Sequence, residues 1–509
     1  MTGWQGDSVK DDLRQTLLSD PLLAAARAIG AERGVRVWLV GGAVRDLRRG
    51  VPVRDWDVAV ERNAIALARA VADRLRADVY VLDAEHDTAR VLTADAHLDM
   101  AGLRGRSLEA DLKDRDFTVN ALAIDLDQPD RLIDLVGGER DLADGVIRAL
   151  GEQALTSDPI RLLRAVRQAI GLNFEIDLQT ARWIAQHAAL ITTASAERVR
   201  DELIKLIGEA GCADSLLLLD AYGLLGHILP EVAALQNVTQ SPPHHWDVYE
   251  HTRRVVDALE MIGARLLGFE QSDDTAIMQP VIPDWVWSSL LLTLSPFADA
   301  LRTQLREFEI DAARSRWHTL KWTALLHDIG KPGTRSVDED GRIRFFGHED
   351  LSAQLADERL RALKFSSAEI DRVRGVIGGH MRPHWLAQSA LTPRAIYRFF
   401  RATRDYGVDI LLLSLADHLA THGPDVERER WAKRLELIEA MLAAYFERRA
   451  EVVAPLPLIN GTELMAALNL RPGRQIGVLL EAIREAQAAG EVTTKEEAVR
   501  LAREVMSER

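Results

Sequence analysis

The sequence of 509 residues has little of several things, beginning with cysteine, of which it has one, Cys212. A single thiol excludes an internal disulfide framework and a zinc cluster built from thiolates. No apolar run approaches the roughly 20 residues that a membrane-spanning helix needs. The N-terminal residues also lack the basic segment and apolar core of a secretory signal. We therefore expect a cytoplasmic protein without a membrane partner.

The chain also lacks an excess of basic residues. It has 63 lysines and arginines against 78 aspartates and glutamates, a net charge of −15. This balance argues weakly against a nucleic-acid-binding protein, which usually carries basic excess. Local arginine clusters, which leave room for an RNA contact in spite of the overall charge, occur at Arg45, Arg48, Arg49 and Arg54 and again at Arg161, Arg164 and Arg167.

The most informative stretch runs from position 38 to position 58, WLVGGAVRDLRRGVPVRDWDV. It predicts an apolar strand, a turn at Gly41 and Gly42, a helix, and a second strand that carries Asp55 and Asp57. Side chains alternate along a strand, so both carboxylates share one face. Paired carboxylates suit Mg²⁺, and glycines at a helix start let backbone N–H groups approach a phosphate. The pattern indicates nucleotidyl transfer.

This order of motifs resembles the head of the class II tRNA nucleotidyltransferases and bacterial poly(A) polymerases, in the polymerase-β-like superfamily. The resemblance implies a third carboxylate on a neighbouring strand, for which Asp99 in HLDMAGLRG is the candidate. It also implies that Gly41, Gly42 and Arg45 hold the triphosphate. Asp55, Asp57 and Asp99 are thus the predicted catalytic carboxylates, with Mg²⁺ bound by the first two.

The segment DLKDRDFTVNAL at 111–122 resembles the part of the family that holds ribose and triphosphate. Arg115, Asp116 and Asn120 match the family pattern, whereas Asp114 stands where an arginine is common. An arginine supplies fixed charge for a phosphate, and an aspartate accepts from a sugar hydroxyl. The departure at position 114 removes one positive charge and puts the nucleotide affinity in doubt.

The segment SDPIRLLRAVRQAIGLNF at 157–174 resembles the neck helix of the family. There an aspartate and an arginine, matched by Asp158 and Arg161, are thought to pair with the Watson–Crick edge of the incoming base. Arg164 and Arg167 continue the row and are predicted to bind nucleotide. Ser157 replaces a common glutamate and Gln168 a common phenylalanine, which blurs the choice of base.

A second constellation lies in the middle of the chain. Histidines and aspartates in helical contexts resemble the ligand order of the HD phosphohydrolase superfamily. A mixed set of imidazole and carboxylate ligands suits Mn, Fe, Ni or Zn and does not select one of them. Mg also stays open as the bound metal. A metal-activated water would then attack a phosphate ester. The predicted ligands are His251, His327, Asp328, His348, His380 and Asp417.

Short strands alternate with helical stretches, such as Ala64 to Leu75, up to position 150, and helical patterns follow. This order predicts an α+β fold. A small mixed sheet with helices would form the nucleotidyltransferase head, followed by an all-α neck, HD domain and tail. The stretch 268–287 reads as a loop insertion. The predicted parts are an N-terminal helical segment 1–30, the head 31–150, a neck and RNA-binding body 151–235, the HD domain 236–430 and a helical tail 431–509.

The resemblance implies an enzyme that adds CMP or AMP from CTP or ATP to the 3′ end of tRNA, with phosphohydrolase activity in the HD domain. A poly(A) polymerase, or an enzyme adding only CC or only A, is the alternative of the same class. A metal phosphohydrolase whose head merely binds nucleotide or RNA is the alternative of another class. The paired Asp55 and Asp57 speak against that last reading, and the oligomeric state stays open.

Overall fold

The computed structural model divides the chain into two units, Met1–Ala194 and Ser195–Arg509. No helix in the described part of the chain has both the length and the apolar character needed to cross a membrane. The described residues are 15–105, 107–208, 211–269, 282–307 and 314–507.

A mixed seven-stranded sheet forms the centre of the first unit, in the order β3-β4-β5-β2-β1-β6-β7. The β2–β5 pair is parallel and the other neighbouring pairs are antiparallel. This arrangement confirms the predicted small mixed sheet. The strands are β1 Val37–Val40, β2 Asp55–Val60, β3 Asp78–Asp83, β4 Thr88–Leu92, β5 His97–Gly102, β6 Leu122–Asp125 and β7 Leu132–Asp134.

Helices cover this sheet and continue beyond it. The predicted helix from Ala64 to Leu75 is present with those bounds, and it packs its buried alanines, leucine and valine against the first helix and against β4. A short parallel pair joins β8 Val146–Ile147 to β9 Glu175–Ile176. The helices of this unit are α1 Pro21–Arg33, α2 Gly42–Arg48, α3 Ala64–Leu75, α4 Leu108–Lys113, α5 Gly138–Asp144, α6 Glu152–Thr156, α7 Ile160–Leu172 and α8 Leu178–His187.

The second unit is helical, as expected. Its helices are α9 Ala196–Gly208, α10 Cys212–Ala221, α11 Leu225–Ile228, α12 Pro230–Ala233, α13 Val248–Leu267, α14 Asp284–Leu294, α15 Ala298–Arg306, α16 Arg316–Leu326, α17 Lys331–Thr334, α18 His348–Ala362, α19 Ser367–Gly379, α20 Arg382–Leu386, α21 Pro393–Thr403, α22 Gly407–His422, α23 Arg428–Phe446, α24 Gly461–Leu468, α25 Arg474–Ala488 and α26 Lys495–Ser507.

Two features of this unit differ from the sequence interpretation. A hairpin of β10 Ser336–Val337 and β11 Ile343–Arg344 interrupts the helices, because strands of two residues are too short to leave a periodic signal. The expected loop insertion at 268–287 is helical at its end, since α14 begins at Asp284. The rest of that prediction, residues 270–281, lies outside the described residues.

Candidate functional site

The first candidate site lies on one face of β2 and β5. Along β2, Asp55 and Asp57 are exposed while Trp56 between them is buried, so both carboxylates do share a face. The parallel register pairs Asp57 with Asp99 on β5. Desolvation by the surrounding protein and the negative charge of Asp99 raise the pKa of Asp57, against the opposing charges of Arg115 and other cations. Three carboxylates thus converge where a cation would relieve their repulsion.

Asp99 already has a cationic partner that the sequence did not reveal. Arg90 on β4 donates from Nε and Nη2 to the two carboxylate oxygens of Asp99, each at 2.7 Å. This two-pronged pair holds the Asp99 side chain in one orientation beside Asp57. His97 lies on the same face, with Nδ1 2.8 Å from Oδ1 of Asp55.

The glycine turn approaches this face closely. Gly41 has φ +73°, which favours glycine, and it caps the start of α2. A β-carbon added at Gly41 would lie 2.9 Å from Nη1 of Arg115 and 3.9 Å from Oδ2 of Asp57. The turn therefore brings the backbone, the Arg115 guanidinium and the Asp57 carboxylate together, and a β-carbon at position 41 would displace the Arg115 guanidinium.

Asn120 links the remaining predicted nucleotide-binding residues in a buried network. Its carbonyl oxygen accepts from Nη1 of Arg45 at 2.8 Å, and its amide donates to Asp116 at 2.8 Å and to Gln168 at 3.0 Å. Arg115 is held by Asp111, to which it donates from Nη2 at 2.9 Å. Side chains so constrained present fixed donors and acceptors to a ligand.

The neck residues pack against the same segment. Asp158 and Arg161 face each other, with 3.7 Å between Oδ2 and Nε. Arg161 also donates to the carbonyl oxygens of Asp114 at 2.9 Å and Ala154 at 3.1 Å. Arg161 thus links α7 to the segment before Arg115.

The arginine row runs along the half-buried flank of α7, and Ile160 at its start is buried. Arg164 places Nε 2.9 Å from Oδ2 of Asp116, so it joins the predicted ribose-binding aspartate. Arg167 lies one turn further along α7 and is half-buried. The fold therefore places Arg161 and Arg164 beside the segment that carries Arg115, and the roles of all three arginines stay predictions.

The second candidate site brings together the six predicted metal ligands, all in the second unit. They form two groups, each with its ligand atoms within 4.8 Å of one another. Asp328 stands between them, with Oδ2 3.2 Å from Nε2 of His327 and Oδ1 3.4 Å from Nε2 of His348. One group is His251, His327 and Asp417, and the other is Asp328, His348 and His380.

The histidines are oriented as metal-binding histidines usually are. His327, His348 and His380 direct Nδ1 to the carbonyl oxygens of the residues three positions before them, at 2.7–2.8 Å. Nε2 of each ring thereby faces the centre. Nε2 of His251 and of His327 is buried and makes no hydrogen bond within the described ranges. Burial, with the neighbouring His327 and His348, lowers the pKa of His380 to about 3, which keeps this ring neutral and able to bind a metal.

A cavity of about 640 Å³ opens onto four of these ligands, Asp328, His348, His380 and Asp417, and its size is typical of small-molecule sites. Sequence reasoning missed much of its lining, because the residues concerned come from elements far apart in the chain. His244 and His384, which are not among the predicted ligands, lie there. Further cationic lining residues are Lys331, Arg342, Arg344, Arg430, Lys433 and Arg434.

Three family models match the chain. They are the poly A polymerase head domain at residues 37–148, the probable RNA and SrmB-binding site of polymerase A at 173–236, and the HD domain at 298–422. The first covers the sheet with its carboxylates, and the third covers five of the six clustered metal-ligand candidates. His251 lies before the third match.

Solved structures share the fold. The Thermotoga maritima CCA-adding enzyme complexed with tRNA has 21% identity and a TM-score of 0.60, over 97% of this chain and 98% of that one. A CCA-adding enzyme in complex with ATP has 21% identity and a TM-score of 0.63, over 97% of each chain. At these identities the likeness concerns the fold.

Two curated relatives align along nearly the whole chain. An A-adding tRNA nucleotidyltransferase of Deinococcus radiodurans is 37% identical over 467 residues, 90% of this chain and 93% of its own length. A CC-adding tRNA nucleotidyltransferase of Thermus thermophilus is 34% identical over 465 residues, 90% of this chain and 91% of its own. The second unit, which contains the HD match, is called the HD unit. Because of these relatives, and with a sheet that carries paired carboxylates, the chain belongs to the tRNA nucleotidyltransferase and poly(A) polymerase family of enzymes.

Proposed function

We propose that this enzyme transfers a nucleotide from CTP or ATP to the 3′ end of tRNA. The observation that carries the proposal is the shared face of Asp55, Asp57 and Asp99, with the Gly41 turn and Arg115 beside it. Carboxylates and a fixed cation at this spacing fit a phosphoryl-transfer centre. The names of the relatives, A-adding and CC-adding tRNA nucleotidyltransferases, support tRNA as the acceptor.

Each part of the site has a role in this proposal. Asp55 and Asp57 would hold Mg²⁺, which when bound supplies charge stabilisation for in-line attack on the α-phosphate. Arg115 and Arg45 would bind the triphosphate, since arginine presents a planar fork to phosphate oxygens. Asp116 would accept from the ribose. Asp158 and Arg161 would meet the base edge, where a carboxylate and a guanidinium offer the acceptors and donors of a pairing partner.

We propose further that the product is one part of the CCA sequence, either CC or A. The curated relatives that span about nine-tenths of this chain are named for partial addition, whereas a CCA-adding relative aligns with 40% of it. Of the two departures, Ser157 directly precedes the proposed base-reading pair in the sequence, and Gln168 is hydrogen-bonded to Asn120 of the nucleotide-binding network.

The experiment uses three tRNA transcripts, ending at the discriminator base, at C and at CC. Each is incubated with Mg²⁺ and CTP, ATP or both, and the 3′ ends are sequenced. Addition of CC that stops there, or of A to the CC transcript alone, supports partial addition. Complete CCA or a long A tail would refute partial addition, and no incorporation on any transcript would refute the transferase proposal.

The aspartates of β2 provide the matched test of the site. We expect Asp55→Ala and Asp57→Ala each to lower incorporation by about 10²-fold or more, because the cation would lose a ligand at the reacting phosphate. Asp73→Asn, on α3, is the control and should retain activity. Circular dichroism should show an unchanged fold in all three variants, and activity retained in either alanine variant would refute the assignment.

A phosphohydrolase activity is our second proposal, for the HD unit. The six ligand candidates form two groups of three, one of which includes Asp328, in a largely buried polar centre. This arrangement favours a pair of divalent metals. Such metals supply an activated water and polarise a phosphate ester. The six ligands do not select one metal, since imidazole and carboxylate suit several.

A further inference from the structure

Arg434, on α23, is a buried cation in the wall of the cavity that opens onto the metal-ligand candidates. This cavity is called the HD cavity. The residue is 8% exposed, and its Nη1 donates to Oγ of Ser414 at 2.8 Å. Among the residues that the structure describes, no carboxylate lies within ion-pair distance of its guanidinium. Position 434 lies outside the match to the HD family model, which ends at residue 422.

The other cations around the cavity are mostly neutralised by a neighbour. On the same helix, Arg430 pairs with Glu427 at 2.9 Å and Lys433 pairs with Glu429 at 2.7 Å, and both side chains are mostly exposed. Lys331 contacts Asp328 at 2.7 Å. Within the described ranges, the same face of α23 thus carries two exposed cations paired with carboxylates and one buried cation whose side chain is bonded to a hydroxyl.

A buried guanidinium without an anion is costly, because the lost hydration is not replaced. Burial accordingly lowers the pKa of Arg434, and the attraction of Asp417 compensates only in part. Arginine nevertheless stays charged in proteins. A cation kept in this state, in a cavity large enough for a small molecule, is preorganised for an anionic ligand.

We propose that Arg434 binds the phosphoryl group of a nucleotide-sized phosphate ester in the HD cavity, opposite the metal ligands. The nature of this ligand rests on the proposed phosphohydrolase function of the HD unit. Arg434 would hold phosphate oxygens with its planar fork, while the metal ligands stand at the other side of the same group. Arg434 is thus a substrate-binding residue that the HD motif does not include.

The binding test uses the full-length, metal-free protein and phenylphosphonate, a non-hydrolysable analogue of a phosphate monoester. Wild type, Arg434→Gln and the control Arg428→Gln are compared by titration; Arg428 is an exposed arginine of the same helix, outside the cavity lining named above. We expect at least about tenfold weaker binding for Arg434→Gln, because charge-assisted hydrogen bonds are lost, and no change for Arg428→Gln. Phosphonate bound in the first unit contributes equally to the three proteins. Equal affinities would overturn the proposal.

A stability measurement separates binding from a structural role. Without ligand, Arg434→Met should melt no lower than wild type, because the substitution removes an uncompensated charge and keeps an apolar stem of similar length. A clear fall in melting temperature would mean that Arg434 supports the fold, and would overturn the proposal.

Hydrolysis of p-nitrophenyl phosphate by the metal-loaded enzyme adds a third readout. The Arg434→Gln variant should raise KM at least about tenfold and keep its bound metal. No hydrolysis by wild type would refute the phosphohydrolase function, and the phosphonate titration alone would then decide whether Arg434 binds the anion.

Discussion

Asp257, on α13, carries a pH dependence that can be worked out from its surroundings. The residue is 8% exposed, and its Oδ2 atom has no hydrogen-bond partner in the described ranges. Burial first, and then the negative charges of Glu260 and Asp214, raise the pKa of Asp257 from 3.8 to about 7. In the unfolded chain the group returns to its usual value.

The sign follows from proton linkage. Because the native pKa is raised, the native state binds more protons than the unfolded state between about pH 4 and pH 7, so this group makes stability fall as the pH rises through that window. From pH 5 to pH 8 the shift corresponds to a loss of about 2–3 kcal/mol in the free energy of unfolding. The variant Asp257→Asn cannot ionise and escapes this loss.

The assay is calorimetric unfolding of wild type, Asp257→Asn and the exposed control Asp220→Asn at pH 5 and pH 8. The Asp257→Asn protein should gain stability relative to wild type on going from pH 5 to pH 8, by several degrees in melting temperature. The control should not. If the melting temperatures of Asp257→Asn and wild type differed by the same amount at pH 5 and at pH 8, the linkage argument would be refuted.

Two further substitutions test the two sites separately. Arg90→Gln should lower nucleotide incorporation by about 10- to 100-fold, because the Asp99 side chain would no longer be held in one orientation. The control Arg62→Gln, on the exposed surface, should not lower it. Equal rates for the two variants would show that the ion pair of Arg90 with Asp99 does not serve catalysis. His327→Ala should abolish metal binding at the HD centre and any metal-dependent phosphatase activity while sparing incorporation, with His227→Ala as control. Metal analysis and both activity assays check this, and full metal occupancy in His327→Ala would contradict the ligand assignment.

Local sequence patterns predicted the structure correctly where neighbours in the chain are also neighbours in space. The alternation in DWDVAV placed Asp55 and Asp57 on one face of β2, and the helix at Ala64–Leu75 has its predicted bounds. The HD ligands were found through their helical contexts. The structure gathers them into two groups, and their metal binding stays a prediction.

Other features depend on contacts between distant segments. Arg90 was not singled out, because its pairing with Asp99 arises from the antiparallel register of β4 and β5. The burial of Arg434 was not predicted either, because a charged side chain on a helix is usually solvated. Only the packing of the helices shows that this one is buried. The short hairpin β10–β11 is too brief for a periodic signal.

The sequence by itself determined the fold class, the family and the identity of the carboxylates and histidines, because these follow from periodicity and from motifs within a few residues. The tertiary structure decided which charges are compensated. Arg90 neutralises Asp99, whereas Arg434 and Asp257 lie buried without an opposite charge in ion-pair contact within the described part of the chain. Desolvation and Coulomb energy depend on distance and burial, which strand register and helix packing set and which no short sequence window contains.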